Sequence, residues 1–229
     1  MKTLSPQPIT IGSRETRRLS YPIELRAMEE GASGNTVFGY AAKFNTKSEN
    51  LGSSEYQFFE TILPGAFDDV LNDDVRALFN HESDLILARS KGGEGTLKIG
   101  VDNIGLWYEF EAPDTSVGRD LLVSLRRGDI DQSSFSFTVS KDGQKWEEAQ
   151  DGEGPRIITR TISKVERLYD VSPVTYPAYE DTEVDCRTIE DALKEFRKQE
   201  PEPEPVQETE EDSLSHWQRR LGILDKTAV

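Results

Sequence analysis

Residues 104–139 read IGLWYEFEAPDTSVGRDLLVSLRRGDIDQSSFSFTV, and this stretch decides the fold class. In LWYEFEA, Leu106, Tyr108 and Phe110 fall on one face and Trp107, Glu109 and Glu111 on the other, the period-2 pattern of a half-buried strand. The pattern then changes to a helical one. Val117, Leu121, Leu122 and Leu125 recur at helical spacing, Thr115 or Ser116 can cap the start, and Gly128 supplies a stop. SSFSFTVS, residues 133–140, returns to alternation, with Phe135, Phe137 and Val139 on one side. Strand, helix and strand within so short a span imply a β-rich domain with local helical crossovers.

Working outward, VRALFNH (75–81) reads as a buried strand, and LILARS and TLKIGVD follow it at short spacing. They are punctuated by KGGEG and by Asp102-Asn103 with Gly105, as in an antiparallel meander. Upstream, YPIELRAME and TVFGYAAKFN read as two strands, SENLGSSEYQ as a loop, and FDDVLN as a short helical turn. Downstream, KWEEA and RIITRTISKVERLYDVSPVTY supply further strands and connections, while KWEEAQDGEGPR (145–156) reads as a flexible loop and a candidate self-cleavage site. The expected organisation is a flexible leader over 1–20, one domain over 21–187, an amphipathic helix over 188–199, an acidic Pro-rich linker over 200–212, and a short helix or tail over 213–229. The linker carries seven acidic residues and three prolines, a composition that cannot bury enough apolar surface to fold.

Composition removes several functional classes. The net charge of -16 opposes binding to a phosphate backbone, so no nucleic-acid partner is expected. No apolar run approaches the roughly 18 to 20 residues of a membrane helix, and the polar start lacks the apolar core of a secretory signal. Neither a membrane partner nor export is therefore expected. Cys186 is the single cysteine and His81 and His216 the two histidines, too few for a tetrahedral zinc site, and no metal or other cofactor is expected.

What remains is a hydroxyl activated by a histidine. His81 ends an apolar strand and precedes the polar turn HESD, a position both rigid and able to reach a cleft, whereas His216 lies beyond the acidic tract. A hydrogen-bonded structural histidine fits the same position. Ser134, between a Gly-terminated helix and a Phe-rich strand, is one candidate among many serines. Spacing does not select the serine that meets His81.

The residues carry a further signal. FNH (79–81), GLWYEFEAPDT (105–115), RRGDIDQSSFSF (126–137) and DVSPVTYPAYEDT (170–182) occur in the order found in the prohead serine proteases of tailed phages, which the chain resembles over residues 22–187. That resemblance implies an α+β fold similar to the herpesvirus maturation protease: a small, mostly antiparallel β-barrel with surrounding helices. It implies a serine endopeptidase with Ser134 as nucleophile and His81 as base. Two departures, Ser133 where a hydrophobic residue is common and Ser136 where glycine is common, make Ser133 a rival nucleophile. The third member is expected to be Asp170, with Glu166 as runner-up, because a carboxylate can orient an imidazole. By likeness to the herpesvirus enzymes, oxyanion donors are sought after Ile162, near Lys164 and Arg167.

The implied setting is the immature capsid in the host cytoplasm. There the enzyme cleaves the scaffolding segment of the major capsid protein or a separate scaffold, and itself. The competing expectation is an assembly factor that keeps the protease fold without activity. Oligomeric state is not legible.

Overall fold

The computed structural model describes residues 14–19, 22–26, 35–52, 56–150 and 154–175. It divides into one compact unit, Met1–Leu193, and a second, Lys194–Val229, that lies outside the described residues. Among the described residues thirteen strands form: β1 Glu15–Leu19, β2 Glu24–Arg26, β3 Thr36–Lys43, β4 Tyr56–Ile62, β5 Val75–Leu78, β6 Ile86–Lys91, β7 Glu94–Gly95, β8 Leu97–Val101, β9 Gly105–Glu111, β10 Gln132–Val139, β11 Gln144–Gln150, β12 Arg156–Ile162 and β13 Val165–Val174. The α-helix α1, Ser116–Arg127, links β9 to β10.

α1 follows its sequence signals closely. Thr115 is the N-cap, its Oγ1 accepting from the Gly118 amide at 3.3 Å. Gly128 ends the helix at φ 75°, a left-handed conformation that costs glycine no Cβ clash. The amides of Gly128 and Asp129 return to the carbonyls of Leu125 and Ser124. Leu121 and Leu122 are buried. The alternation in β9 is also realised: Leu106, Tyr108 and Phe110 are buried, while Trp107 and Glu109 are half-buried and Glu111 is exposed.

The strands assemble into three sheets, ordered β1-β10-β13-β5-β6-β7, β2-β3-β9-β8 and β11-β12-β4. None closes on itself, so the expected barrel with surrounding helices is not what the described residues form. The sheets instead wrap one core, in which Phe44, Phe67, Phe135, Phe137, Tyr108 and Phe110 are buried together. Backbone contacts stitch them where a closed barrel would have ladder pairing: the parallel bridge Phe44–Ile62, and the bond from Val165 N to Ala66 O. A satellite cluster of Tyr56, Phe58 and Ile158, with Trp146 stacked on Phe58 at 5.5 Å, fills the three-stranded sheet.

Other expectations also shift. Residues 15–19 were expected in a flexible leader, yet they form β1, paired antiparallel with the edge of β10. ETRRL carries no apolar alternation; an unpaired edge recruits it by backbone hydrogen bonding, which tertiary context supplies and propensity does not. The flexible stretch 145–156 is mostly the β11–β12 hairpin, in register from Gln144–Ile162 to Gln150–Arg156. Of the strand expected over YPIELRAME, the described residues form β2 over Glu24–Arg26. The helix expected over 188–199, the linker over 200–212 and the tail over 213–229 lie outside the described residues.

Between the sheets sits a buried charge cluster. Arg160 on β12 is 1% exposed and donates to Glu15 (2.6 and 2.8 Å), Glu60 (2.9 Å) and Gln144 (2.6 Å). Arg17 donates to Glu60 (2.8 and 3.0 Å) and Glu15 (2.7 Å). Burial pushes the Glu15 carboxyl upward, but the guanidinium groups of Arg160 and Arg17 outweigh it and hold it below the usual carboxylate range. Removing one member of such a cluster strands a buried charge. Arg160→Met is expected to lower unfolding free energy by about 3–5 kcal/mol, with Arg160→Met/Glu60→Leu recovering a large part, measured by urea titration.

Candidate active site

The polar face of the six-stranded sheet arises from register. On β10, Ser134 and Ser136 lie opposite Ser172 and Asp170 of β13. The pairing then slips, Phe137 meeting Leu168 and skipping Tyr169. A strand alternates its side chains with period 2, so the slip exchanges faces. It keeps Asp170 beside the serines and still sends Leu168 into the core, where it is fully buried.

β5 runs parallel to β13, with Asp170 beside Arg76 and Val171 beside Ala77. The strand stops at Leu78, short of the expected His81, and the chain turns sharply. Asn80 and His81 take φ values of 53° and 62°, left-handed conformations that cost non-glycine residues about 1–2 kcal/mol each. Asparagine tolerates this region best, and Asn80 is also pinned: its amide donates to Pro173 O at 3.0 Å and its Oδ1 accepts from the Thr175 amide at 2.9 Å. The turn swings His81 back over β13 toward β10.

The imidazole bridges two groups. His81 Nε2 lies 2.6 Å from Ser134 Oγ, and His81 Nδ1 lies 2.5 Å from Asp170 Oδ1. Asp170 is 1% exposed. Burial pushes its carboxyl upward, yet the hydrogen bond and charge of His81, the Ser172 hydroxyl and Arg14 hold it below the ordinary range. An ionised carboxylate only accepts, so Nδ1 is the ring nitrogen that donates to Asp170, and Nε2 is the one that faces Ser134. Ser172 Oγ donates to the same Asp170 oxygen at 2.8 Å, and Ser136 Oγ lies 3.3 Å from His81 Nδ1. Arg14 ion-pairs with the other Asp170 oxygen.

The rival residues lie elsewhere. Ser133 is on the opposite face of β10, its hydroxyl 2.7 Å from the buried Tyr108 hydroxyl. Burial raises the Tyr108 pKa well above the usual tyrosine range, so that phenol remains a neutral hydrogen-bonding group. Glu166 is exposed near the start of β13. The stretch considered for oxyanion donors is engaged otherwise: the Lys164 amide donates to Gly143 O at 3.0 Å, its ammonium pairs with Asp69 at 2.7 Å, and Arg167 lies over the Tyr169 ring at 4.8 Å. Cys186 and His216 fall outside the described residues. Ser172, Asn80 and Arg14 complete the arrangement and were not anticipated.

A serine hydroxyl, an imidazole and a buried carboxylate in one hydrogen-bonded line on a β-rich scaffold define the class of site found in serine hydrolases. The family comparison narrows this. The model of the caudovirus prohead serine protease family matches residues 21–196, and the chain belongs to that family. It is thus a phage maturation protease by kinship. Among solved structures, the bacteriophage T4 capsid assembly protease is similar at 13% identity and a TM-score of 0.36, covering 72% of this chain and 98% of that one. No curated protein matches the chain.

Proposed function

We propose that this chain is a serine endopeptidase that cleaves the scaffolding segment of a major capsid protein, or a separate scaffold, and itself, inside the immature capsid in the host cytoplasm. Ser134 is the nucleophile, His81 the general base and acid, and Asp170 the group that orients and stabilises the imidazole. The observation that carries this reading is the 2.6 Å and 2.5 Å pair of contacts made by one ring.

In the first step Ser134 Oγ attacks the scissile carbonyl carbon while His81 Nε2 takes its proton. The imidazolium so formed is stabilised by the Asp170 carboxylate. Collapse of the tetrahedral intermediate breaks the C–N bond as His81 returns the proton to the leaving amine. Water, deprotonated by His81, then releases the acyl group by the same sequence in reverse. The chemistry calls for no metal or organic cofactor.

The competing reading, an inactive assembly factor, draws on one observation: Ser134 has no exposed surface. One experiment separates the two. Co-expression with the capsid protein of the same phage, followed by intact-mass measurement, is expected to show a defined truncation of the capsid protein that is absent with His81→Ala. An unshortened capsid protein with the wild-type chain would favour the assembly factor.

A further inference from the structure

The strand that covers Ser134 is β1, and its contacts are aimed at the site. Ser134 Oγ donates to the Arg17 carbonyl oxygen at 2.9 Å while lying 2.6 Å from His81 Nε2. A hydroxyl has one proton. Given to Arg17, it is withheld from the base; given to the base, it leaves two oxygens facing each other without a hydrogen. Ser134 also meets this carbonyl through its oxygen, whereas acyl transfer requires approach to carbon. Arg14, just before β1, takes the free oxygen of Asp170, and Thr16 Oγ1 lies 3.1 Å from Ser136 Oγ. Each member of the Ser134–His81–Asp170 line is therefore engaged, directly or through a neighbour, by this one segment.

The grip on β1 divides into two charge-balanced halves. In the buried charge cluster, Glu15 and Arg17 come from β1, and Glu60 and Arg160 from β4 and β12. Each half is neutral by itself. Without β1, Glu60 and Arg160 remain paired at 2.9 Å and Arg160 keeps Gln144 at 2.6 Å. Withdrawal strands no charge, unlike loss of a single member. β1 is moreover a five-residue edge strand whose ladder partner is β10. An edge of this kind accepts an extended peptide by strand addition.

We infer that β1 is a tethered occupant of the substrate strand site: the edge of β10 binds a peptide antiparallel, the Glu60–Arg160 pair selects an acidic side chain two residues before a basic one, and the segment Arg14–Leu19 blocks Ser134 until it is displaced. This inference rests on the reading of Ser134 as nucleophile. The preferred substrate is then an extended peptide with a Glu-x-Arg pattern, the basic residue standing where Arg17 stands.

The test uses the full chain and a fluorophosphonate probe, with labelling of Ser134 followed by peptide mass mapping. Glu15→Gln/Arg17→Ala is expected to label roughly tenfold faster or more than the wild type, the effect of losing one charge-assisted hydrogen bond. The synthetic peptide RETRRL, residues 14–19, should slow that variant again, and the charge-swapped RRTERL should not. Glu15→Gln/Arg17→Gln, which also removes one charge of each sign and keeps side-chain bulk near that of Arg17, reads the same rate if the alanine-containing double variant fails to fold. Equal labelling of Ser134 in wild type and variants would overturn the inference and leave the nucleophile assignment standing. Absence of a Ser134 adduct in every variant would overturn both.

Discussion

Ser134→Ala is expected to reduce peptide-bond cleavage on the order of 10⁶-fold in kcat, the loss seen when a serine protease is deprived of its nucleophile. Ser133→Ala should retain cleavage. The contrast follows from alternation along β10, which sends adjacent hydroxyls to opposite faces. Ser134 points at His81, 2.6 Å away, and Ser133 at Tyr108, 2.7 Å away. The stability effects run the other way. Ser133→Ala leaves the buried Tyr108 hydroxyl without its partner and should cost about 1–3 kcal/mol, read from the urea midpoint. Ser134→Ala removes a group already in competition for acceptors and should leave the fold nearly unchanged.

Asp170→Asn is expected to lower kcat by about 10⁴-fold with little effect on KM. The carboxylate accepts from Nδ1 and thereby leaves Nε2 free to take the Ser134 proton. A carboxamide can donate to Nδ1 instead, which places the ring proton on Nε2, where it opposes the reaction. The same substitution has a signature in acid. The native Asp170 carboxyl is held below its ordinary value of 3.8, so the unfolded chain takes up that proton first. Its contribution to stability is full above the ordinary carboxylate range and is lost as pH falls through the lowered native value. Urea midpoints measured below pH 3.8 should therefore fall less steeply for Asp170→Asn than for the wild type.

Elements governed by neighbouring residues were legible in the sequence. α1 was readable because Thr115, the leucines and Gly128 act within one stretch of chain, and β9 because one face of LWYEFEA is wholly apolar. The site itself was not readable from spacing. His81 reaches Asp170 through the parallel pairing of β5 with β13, and it reaches Ser134 through the antiparallel pairing of β13 with β10. Neither contact has a local cause, so the residues alone pointed to His81 and left Ser134 one candidate among many serines, and the family resemblance selected Ser134 and added Asp170.

Two further signals were present in the sequence. In YQFFETI, Tyr56, Phe58, Glu60 and Ile62 share the buried face, and in RIITRTI, Ile158, Arg160 and Ile162 do the same. A charge on the apolar side of a strand requires a buried partner, and two such charges of opposite sign mark each other. Alternation also separates Ser133 from Ser134, because only Ser133 shares the face of Phe135 and Phe137. β1 had no such signal: its place depends on an edge that exists only after β10 and β13 have paired.

The central claim, one imidazole activating one serine, is tested most directly by locating the covalent adduct left by a fluorophosphonate on the β1-loosened chain Glu15→Gln/Arg17→Ala. The adduct is expected on Ser134 and should vanish when His81→Ala is added to the same chain. An adduct on Ser133, or one on Ser134 that forms equally fast without His81, would contradict the account.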